Sequence, residues 1–249
     1  MIGSVERYSQ TARKKRFGLL SSRTARIIII AFILYIVISH FFISTFRIDS
    51  VSMSPSLKSS DKVLVSYLSF GPRVPFTSIR LPGIARPARG DLVVVQPPFF
   101  SDESVLKRIF EPIVSFVSFQ RITLYRDFGG GRAQGFVVKR IIGIPGDTLR
   151  MRGFQAMIRR QGSVEFVPES QLTGFDISVE TGATARNWRD ELPLSGNGAE
   201  ITLANDEYFV LGDNRPDSSD SRSWGPVNGS RILAKIILRY WPFNNFGKL

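Results

Sequence analysis

The chain has 249 residues, contains no cysteine and carries a formal net charge of +12. The lack of cysteine excludes disulfide bonds, thiol catalysis and thiolate metal sites. The positive charge is concentrated in residues 1–26, which hold seven lysines and arginines against one acidic residue. A basic tail can bind nucleic acid, but its position beside a long apolar run favours anionic lipid headgroups. We therefore predict a lipid bilayer and no nucleic acid as a partner of this tail.

The apolar run lies at residues 27–46, which read IIIIAFILYIVISHFFISTF and carry no formal charge at neutral pH. A helix of this length spans roughly 30 Å, the thickness of a bilayer's hydrocarbon core. A cleaved signal peptide is the competing interpretation, but the run is too long and continues into Arg47 and Asp49. We predict one transmembrane helix in the cell (inner) membrane, with residues 1–26 as a cytoplasmic tail and the rest on the periplasmic or external side.

After this run the sequence changes to short segments rich in β-branched and aromatic residues, separated by glycine and proline turns. Such segments predict short strands at residues 62–66, 92–96, 136–142, 208–211 and 232–240. No strong amphipathic helix interrupts them. The predicted external domain is therefore mainly β, with an antiparallel sheet at its core.

Two stretches look less regular than the rest of the external domain. Residues 97–134 contain PPFF and GGGR and are interpreted as an insertion of unknown role. Residues 151–204 are richer in glycine, threonine, asparagine and charge, and we predict a smaller β-rich subdomain there. The catalytic β core is then expected to comprise residues 47–150 and 205–249.

The residues that are missing limit the chemistry of this domain. The only histidine, His40, lies in the apolar run, so the domain has no Ser-His-Asp triad and no zinc site built on histidine and cysteine. No phosphate-binding glycine loop is present either, and we expect no metal or other cofactor. A serine hydrolase would need another base, and lysine can serve only when it is neutral. Burial among apolar neighbours favours that neutral form.

Lys139 meets this condition, because it lies in the run FVVKRIIGI and would share one face of a strand with Val137 and Ile141. The strand by itself also fits a lysine that snorkels to water from a sheet edge. Serines occur early in the domain, in the run SVSMSPS at residues 50–56, although a serine-rich linker has the same composition. The residues alone leave these alternatives open.

Four segments together resemble the motifs of the type I signal peptidases, in the order of that family. Its nucleophile motif, PSGSMxPTL, is matched by DSVSMSPSL at residues 49–57, and its Arg-Gly-Asp segment by RGDLVV at residues 89–94. The general-base motif is matched by KRIIGIPGD at residues 139–147, and the last motif by GDNRPDSSDSR at residues 212–222. The resemblance implies a membrane-bound serine endopeptidase that removes signal peptides from secreted precursor proteins through a Ser/Lys acyl-enzyme mechanism.

The same resemblance implies roles for individual residues. Ser52 would be the nucleophile and Lys139 the general base, while Ser218 would orient that base. The backbone N–H of Ser52 and the hydroxyl of Ser50 would form the oxyanion hole. Two further residues would brace the Ser218 loop as an ion pair, Asp220 and Arg222.

The chain departs from the family's nucleophile motif at two positions, where Val51 replaces a glycine and Asp49 a proline. Glycine is used where φ is positive or where a ligand comes close, so Val51 indicates either a turn with negative φ or a narrowed pocket. The family cuts after small-x-small sequences, which implies two shallow apolar pockets for an extended substrate. The residues expected to line them are Val51, Met53, Ile141 and Ile142.

Two other functions are compatible with the sequence. An S-x-x-K acyl-enzyme of the penicillin-recognising type fits the spacing of Ser59 with Lys62 and of Ser104 with Lys107, but its partner motifs are missing. The second is a catalytically impaired, membrane-anchored β domain that acts as a scaffold or binding module. It remains open because Val51 alters the turn that would carry the oxyanion hole.

Overall fold

A computed structural model describes residues 23–74, 79–99, 110, 113–114, 116–118, 135–152, 154–173 and 200–249. The chain divides into two compact units, Met1–Ser39 and His40–Leu249. Most of the predicted insertion at residues 97–134, including Ser104 and Lys107, lies outside the described residues. The same holds for residues 1–22 of the predicted tail.

The apolar run contains a change of secondary structure. Residues 23–37 form an α-helix, α1, and Ile38–Phe42 follow as a π-helix. The next residues form strand β1, Ile43–Arg47, which pairs with β2, Lys62–Ser66. Among the described residues, no helix combines the length and the apolarity needed to cross a membrane. The predicted helix at residues 27–46 is thus wrong at its end, because isoleucine, threonine and phenylalanine fit a strand as well as an apolar helix.

The second unit is mainly β, as predicted, and its strand pairs are antiparallel. The described strands of its larger sheet are β1, β2, β3 (Leu92–Val95), β4 (Val137–Gly143), β9 (Glu207–Leu211), β10 (Val227–Asn228), β11 (Ile232–Trp241) and β12 (Gly247–Lys248). They are ordered β1-β2-β11-β3-β4-β9-β10, and β12 pairs with β11. This order places β4, which carries Lys139, near the middle of the sheet.

A second sheet is built by four of the described strands, ordered β7-β6-β5-β8. They are β5 (Thr148–Arg152), β6 (Gln155–Arg159), β7 (Val167–Pro168) and β8 (Ile201–Thr202). Two short α-helices lie in the same unit, α2 (Glu169–Thr173) and α3 (Ser221–Trp224). Single 3-10 turns occur at Gly229–Arg231 and Phe243–Asn245. The predicted domain boundaries stay predictions.

Alternate side chains of the larger sheet enter different core clusters. One cluster contains Val93 and Ile141, from one side of β3 and β4. On the other side, Val94 packs with residues of β1 and β2, and Ile142 packs with residues of the second sheet. Strand β4 is thus covered on both faces, and Lys139 is only 3% exposed.

Candidate active site

The nucleophile motif forms a compact turn between β1 and β2. The N–H of Ile48 donates to the carbonyl of Asp61 at 2.8 Å and closes the turn at its base. The side chains of Met53 and Leu57 are buried in the core and anchor the turn from inside. Ser52 lies next to these anchors and is 8% exposed. The turn therefore holds the Ser52 hydroxyl in a fixed and largely buried position.

The structure brings Ser52, Lys139 and Ser218 together from three distant parts of the chain. The Lys139 Nζ atom lies 3.0 Å from the Ser52 Oγ atom and 3.1 Å from the Ser218 Oγ atom. Each distance is that of a hydrogen bond, and all three side chains are buried. The geometry is that of a nucleophile beside a base that a third group orients.

The pKa of Lys139 is lowered from 10.5 to about 8, because burial penalises the charged amine. The carboxylate of Asp220 opposes this effect, and the guanidinium of Arg222 reinforces it. At such a pKa about a tenth of the lysine is neutral at pH 7 and half of it near pH 8. The amine can therefore accept a proton at physiological pH.

Asp220 organises the loop that carries Ser218. Its carboxylate accepts hydrogen bonds from the Ser218 hydroxyl at 2.7 Å and from the Gly212 N–H at 3.0 Å. Arg222 donates to the same carboxylate at 2.7 and 2.8 Å. Burial raises the pKa of Asp220, but Arg222, Lys139 and the Gly212 N–H outweigh that effect and hold it below its usual value. Asp220 is therefore a carboxylate that fixes the direction of the Ser218 hydroxyl.

Gly212 lies in space between Ser52 and Ser218, where a residue with a side chain does not fit. A Cβ atom at Gly212 would lie 2.2 Å from the Ser218 Oγ atom and 2.6 Å from the Ser52 carbonyl oxygen, closer than atoms can approach. The neighbouring Asn214 clamps the nucleophile turn, because its backbone N–H donates to the Ser52 carbonyl at 3.0 Å and its side chain to the Val51 carbonyl at 3.2 Å. The 212–222 segment and the nucleophile turn are thus in direct contact.

Ser50 lies beside Ser52, as the prediction of an oxyanion hole requires. One of the two predicted donors, the Ser52 N–H, already makes a hydrogen bond in the structure. The N–H of Ser52 donates to the Ser50 Oγ atom at 3.0 Å. Val51, between them, is 48% exposed and is not among the described residues with positive φ. The turn accommodates a β-branched residue because its backbone keeps a conformation open to any side chain.

The four predicted pocket residues differ in their access to a substrate. Val51 is exposed, whereas Met53, Ile141 and Ile142 are 1%, 0% and 0% exposed. Ile141 and Ile142 also enter different core clusters, on opposite sides of β4. Of the four, only Val51 has surface to offer a substrate in this structure, so we retain it alone as a candidate pocket residue.

Arg140 is a site residue to which the sequence analysis gives no role. It forms a bidentate pair with Asp213 at 2.8 and 2.6 Å, and it donates to the Gly90 carbonyl at 2.9 Å and to the Ser56 hydroxyl at 3.0 Å. These contacts join all four motif segments. The sequence contains a signal for Arg140, because an arginine within an apolar strand needs a buried hydrogen-bond acceptor.

The other candidate sites are the exposed Ser59–Lys62 pair, a metal site and a cavity away from Ser52 and Lys139. Ser59 and Lys62 are both exposed, so they lack the buried environment that Ser52 and Lys139 share. No group of histidines, cysteines or acidic residues that could hold a metal occurs in the described parts of the chain. A cavity of about 880 Å³ is lined by Arg80, Arg86 and Tyr208, among others, and by none of the predicted site residues.

The sequence matches the family model described as "Signal peptidase, peptidase S26" over residues 21–241. The chain belongs to that family. Signal peptidase I of Leptolyngbya laminosa is 28% identical over 204 residues, which cover 81% of this chain and 70% of that protein. Signal peptidase IB of Staphylococcus aureus is 23% identical over 219 residues, which cover 88% of each chain.

A solved structure is also similar, the crystal structure of a signal peptidase I from Enterococcus faecalis V583, with a TM-score of 0.32 and 22% identity over 62% of this chain and 99% of that one. The matches to the family model and to the relatives confirm the resemblance to the type I signal peptidases that the four motifs indicate. The prediction of an enzyme of this class, a serine endopeptidase, is confirmed by the same findings.

Proposed function

We propose that this member of the signal peptidase family removes signal peptides from secreted precursors at a membrane, cutting after small-x-small sites by a Ser/Lys acyl-enzyme mechanism. The observation that carries the proposal is the buried amine of Lys139, 3.0 Å from the Ser52 hydroxyl and 3.1 Å from the Ser218 hydroxyl. With its pKa lowered to about 8, this amine is a base that a serine hydroxyl can use without histidine.

In the first step the neutral amine of Lys139 takes the proton of the Ser52 hydroxyl while the oxygen attacks the scissile carbonyl. The ammonium then gives this proton to the leaving nitrogen, and the peptide bond breaks. The products are an ester between Ser52 and the signal peptide, and a free amine on the mature protein. Lys139 is neutral again at the end of the step.

Ser218 and Asp220 set the direction of that transfer. The Ser218 hydroxyl donates to Asp220 at 2.7 Å, so its oxygen is free to accept an N–H of Lys139. When the neutral amine gives one N–H to Ser218, its lone pair remains available for the Ser52 proton. Asp220 therefore acts on Lys139 through Ser218, as a positioning residue.

The negative charge on the substrate carbonyl oxygen would be stabilised by the Ser52 N–H and the Ser50 hydroxyl. In the structure the first donor points at the oxygen of the second, at 3.0 Å. Substrate binding must exchange this contact for two hydrogen bonds to the oxyanion. The hydroxyl of Ser50 can make this change by rotation about its side chain, with no movement of the turn.

In the second step Lys139 takes a proton from a water molecule, and the resulting hydroxide attacks the ester carbonyl. The ester bond breaks, and Ser52 recovers its hydroxyl proton from the Lys139 ammonium. The signal peptide leaves with a new carboxylate. The base therefore acts in both steps and ends in its starting protonation state.

The open edge of β4 is the proposed place for the substrate backbone. Strand β9 pairs with β4 only from Arg140 onward, so among the described strands none pairs with Val137–Lys139 on that side. An extended peptide can add to such an edge through main-chain hydrogen bonds, with alternate side chains entering pockets. A peptide bound there would run towards Lys139 and Ser52, with Val51 limiting the side chains that fit.

The proposed location is a membrane, with a single anchor, a cytoplasmic N-terminus and the catalytic unit on the external side. It is supported by the basic residues 1–26 and by exposed apolar side chains of α1 such as Ile27 and Ile30, 67% and 64% exposed. In the second unit, Trp241 and Phe243 are exposed in edge-to-face contact, an arrangement suited to a lipid interface.

The proposal is tested with the full chain in detergent micelles and a precursor that carries an Ala-x-Ala site. We expect cleavage after that site, no cleavage by Ser52→Ala or Lys139→Ala, and wild-type cleavage by Ser59→Ala. Intact precursor with the wild-type protein would favour the scaffold instead. Full activity of Lys139→Ala would exclude the Ser/Lys mechanism.

A further inference from the structure

The most deeply buried ion pair described lies outside the proposed catalytic steps. Arg215 and Glu169 are both fully buried, and the guanidinium and carboxylate meet at 2.5 and 2.6 Å. Arg215 belongs to the 212–222 segment, whereas Glu169 is the first residue of α2, which follows a strand of the second sheet. The pair therefore ties the second sheet to the segment that carries Ser218.

Arg215 also holds two backbone groups. Its Nε atom donates to the Gly212 carbonyl at 2.9 Å, and its Nη1 atom donates to the Phe154 carbonyl at 2.7 Å. Glu169 in turn accepts from the N–H of Ala156 in β6 at 2.8 Å. The guanidinium is thus fixed by the second sheet on one side and fixes Gly212 on the other.

Gly212 lies against both Ser52 and Ser218, the two serines that contact Lys139. Its Cα lies so close to both serines that an added Cβ would clash with the Ser218 hydroxyl and the Ser52 carbonyl. Its N–H is held by Asp220 and its carbonyl by Arg215. A shift of Gly212 would therefore change the spacing of the proposed catalytic residues.

A buried ion pair is a weak source of stability, because an apolar pair of similar volume often serves as well. An apolar pair could not donate to the Gly212 carbonyl. We propose that Arg215, held by Glu169, is a positioning residue of the reaction, through which the second sheet sets the spacing of Ser52 and Ser218 around Lys139. This inference rests on the proposed function.

The test uses the double variant Glu169→Gln/Arg215→Met in the full chain. It leaves no unpaired buried charge and keeps an acceptor for the Ala156 N–H, but it removes the donor to the Gly212 carbonyl. The matched control is Arg159→Met/Glu200→Gln, which replaces another ion pair at the second sheet, at 3.2 Å, whose side chains are 34% and 42% exposed. Among the described residues, no contact of Arg159 or Glu200 reaches Ser52, Ser218 or Gly212; Arg159 contacts Glu200 and the Phe166 ring.

Two measurements are made on each protein, namely kcat and KM for an Ala-x-Ala precursor and the titration midpoint of Lys139 by NMR of labelled lysine. In the double variant kcat should fall on the order of 10- to 100-fold with KM within about twofold, since small misplacements of reacting groups have such effects. The Lys139 midpoint should rise from about 8 towards 10.5, because a displaced loop admits water to the amine. The control should change neither quantity.

Wild-type kcat and midpoint in a folded double variant would overturn the inference, and so would equal losses in the control. If the double variant does not fold, Arg215→Lys takes its place with the same two measurements, because it keeps the charge but not the full set of donors. Failure of the wild type to cut the precursor would refute the proposed function but not the role of Arg215. The Lys139 titration would still decide whether Arg215 positions the site.

Discussion

Replacing Lys139 by methionine should abolish cleavage and at the same time stabilise the folded protein in a pH-dependent way. Methionine has a similar volume and no charge to bury. The lysine has a pKa of about 8 in the folded protein against 10.5 when it is unperturbed. Folding therefore has to remove a proton from the Lys139 amine or bury its positive charge. Either carries a free-energy cost that the methionine variant avoids.

The size of this effect follows from the two pKa values. Each tenfold difference in proton affinity corresponds to about 1.4 kcal/mol, so 10.5 against about 8 corresponds to about 3 kcal/mol. Because the pKa is lowered on folding, the cost is fully present below pH 8 and vanishes as the pH rises past 10.5. The two hydrogen bonds lost to Ser52 and Ser218 subtract about 2 kcal/mol at every pH. The net gain at pH 7 should then be about 1 kcal/mol, turning into a loss at pH 10.5.

The assay is urea unfolding of the wild type and of Lys139→Met in detergent micelles at pH 7 and pH 10.5. The decisive quantity is the difference between the two proteins in free energy of unfolding, which should change by about 3 kcal/mol between these pH values. Lys62→Met, at an exposed position of β2, controls for the loss of a positive charge. A difference that does not change with pH, or one that favours the wild type more at pH 7 than at pH 10.5, would refute the reasoning.

Three further predictions concern the surroundings of Lys139. Gly212→Ala should lower kcat by about 100-fold or more, because its Cβ meets Ser218 and Ser52 atoms at 2.2 and 2.6 Å, whereas Gly247→Ala, with open space around it, should not. Ser50→Ala should lower kcat about 10²–10³-fold with little change in KM, as the loss of one oxyanion donor does; unchanged kcat would remove Ser50 from the hole. Asp220→Asn should lower the pH at which cleavage reaches half its maximum, since Asp220 raises the pKa of Lys139; a rise would contradict this assignment.

The strands could be predicted from the sequence because their signal is local. Runs such as residues 62–66 and 232–240 combine β-branched residues with turn residues at their ends, and the structure has strands at Lys62–Ser66 and Ile232–Trp241. The end of the first helix could not be predicted in this way. Residues 27–46 carry no formal charge and are largely apolar, and the pairing of Ile43–Arg47 with Lys62–Ser66 decides that the helix has ended.

The site shows the same division between local and distant information. The motifs give Ser52 and Lys139 because their spacing and neighbours are local features of the chain. They do not give the burial of Ile142, which depends on the second sheet covering that side of β4. Nor do they give the partner of Arg215, because Glu169 lies 46 residues away in a segment without a recognisable motif.

The arrangement around Ser218 resolves a conflict inherent in using lysine as a base. A carboxylate is needed to direct the Ser218 hydroxyl, yet a carboxylate near Lys139 raises the pKa of the amine and keeps it protonated. Arg222 removes much of this conflict, because it binds Asp220 through two donors and by itself lowers the pKa of Lys139. The Asp220–Arg222 pair can therefore orient the base while adding little net charge beside it. A carboxylate without its arginine could still direct the Ser218 hydroxyl, but it would raise the pKa of Lys139 without the opposing effect of Arg222.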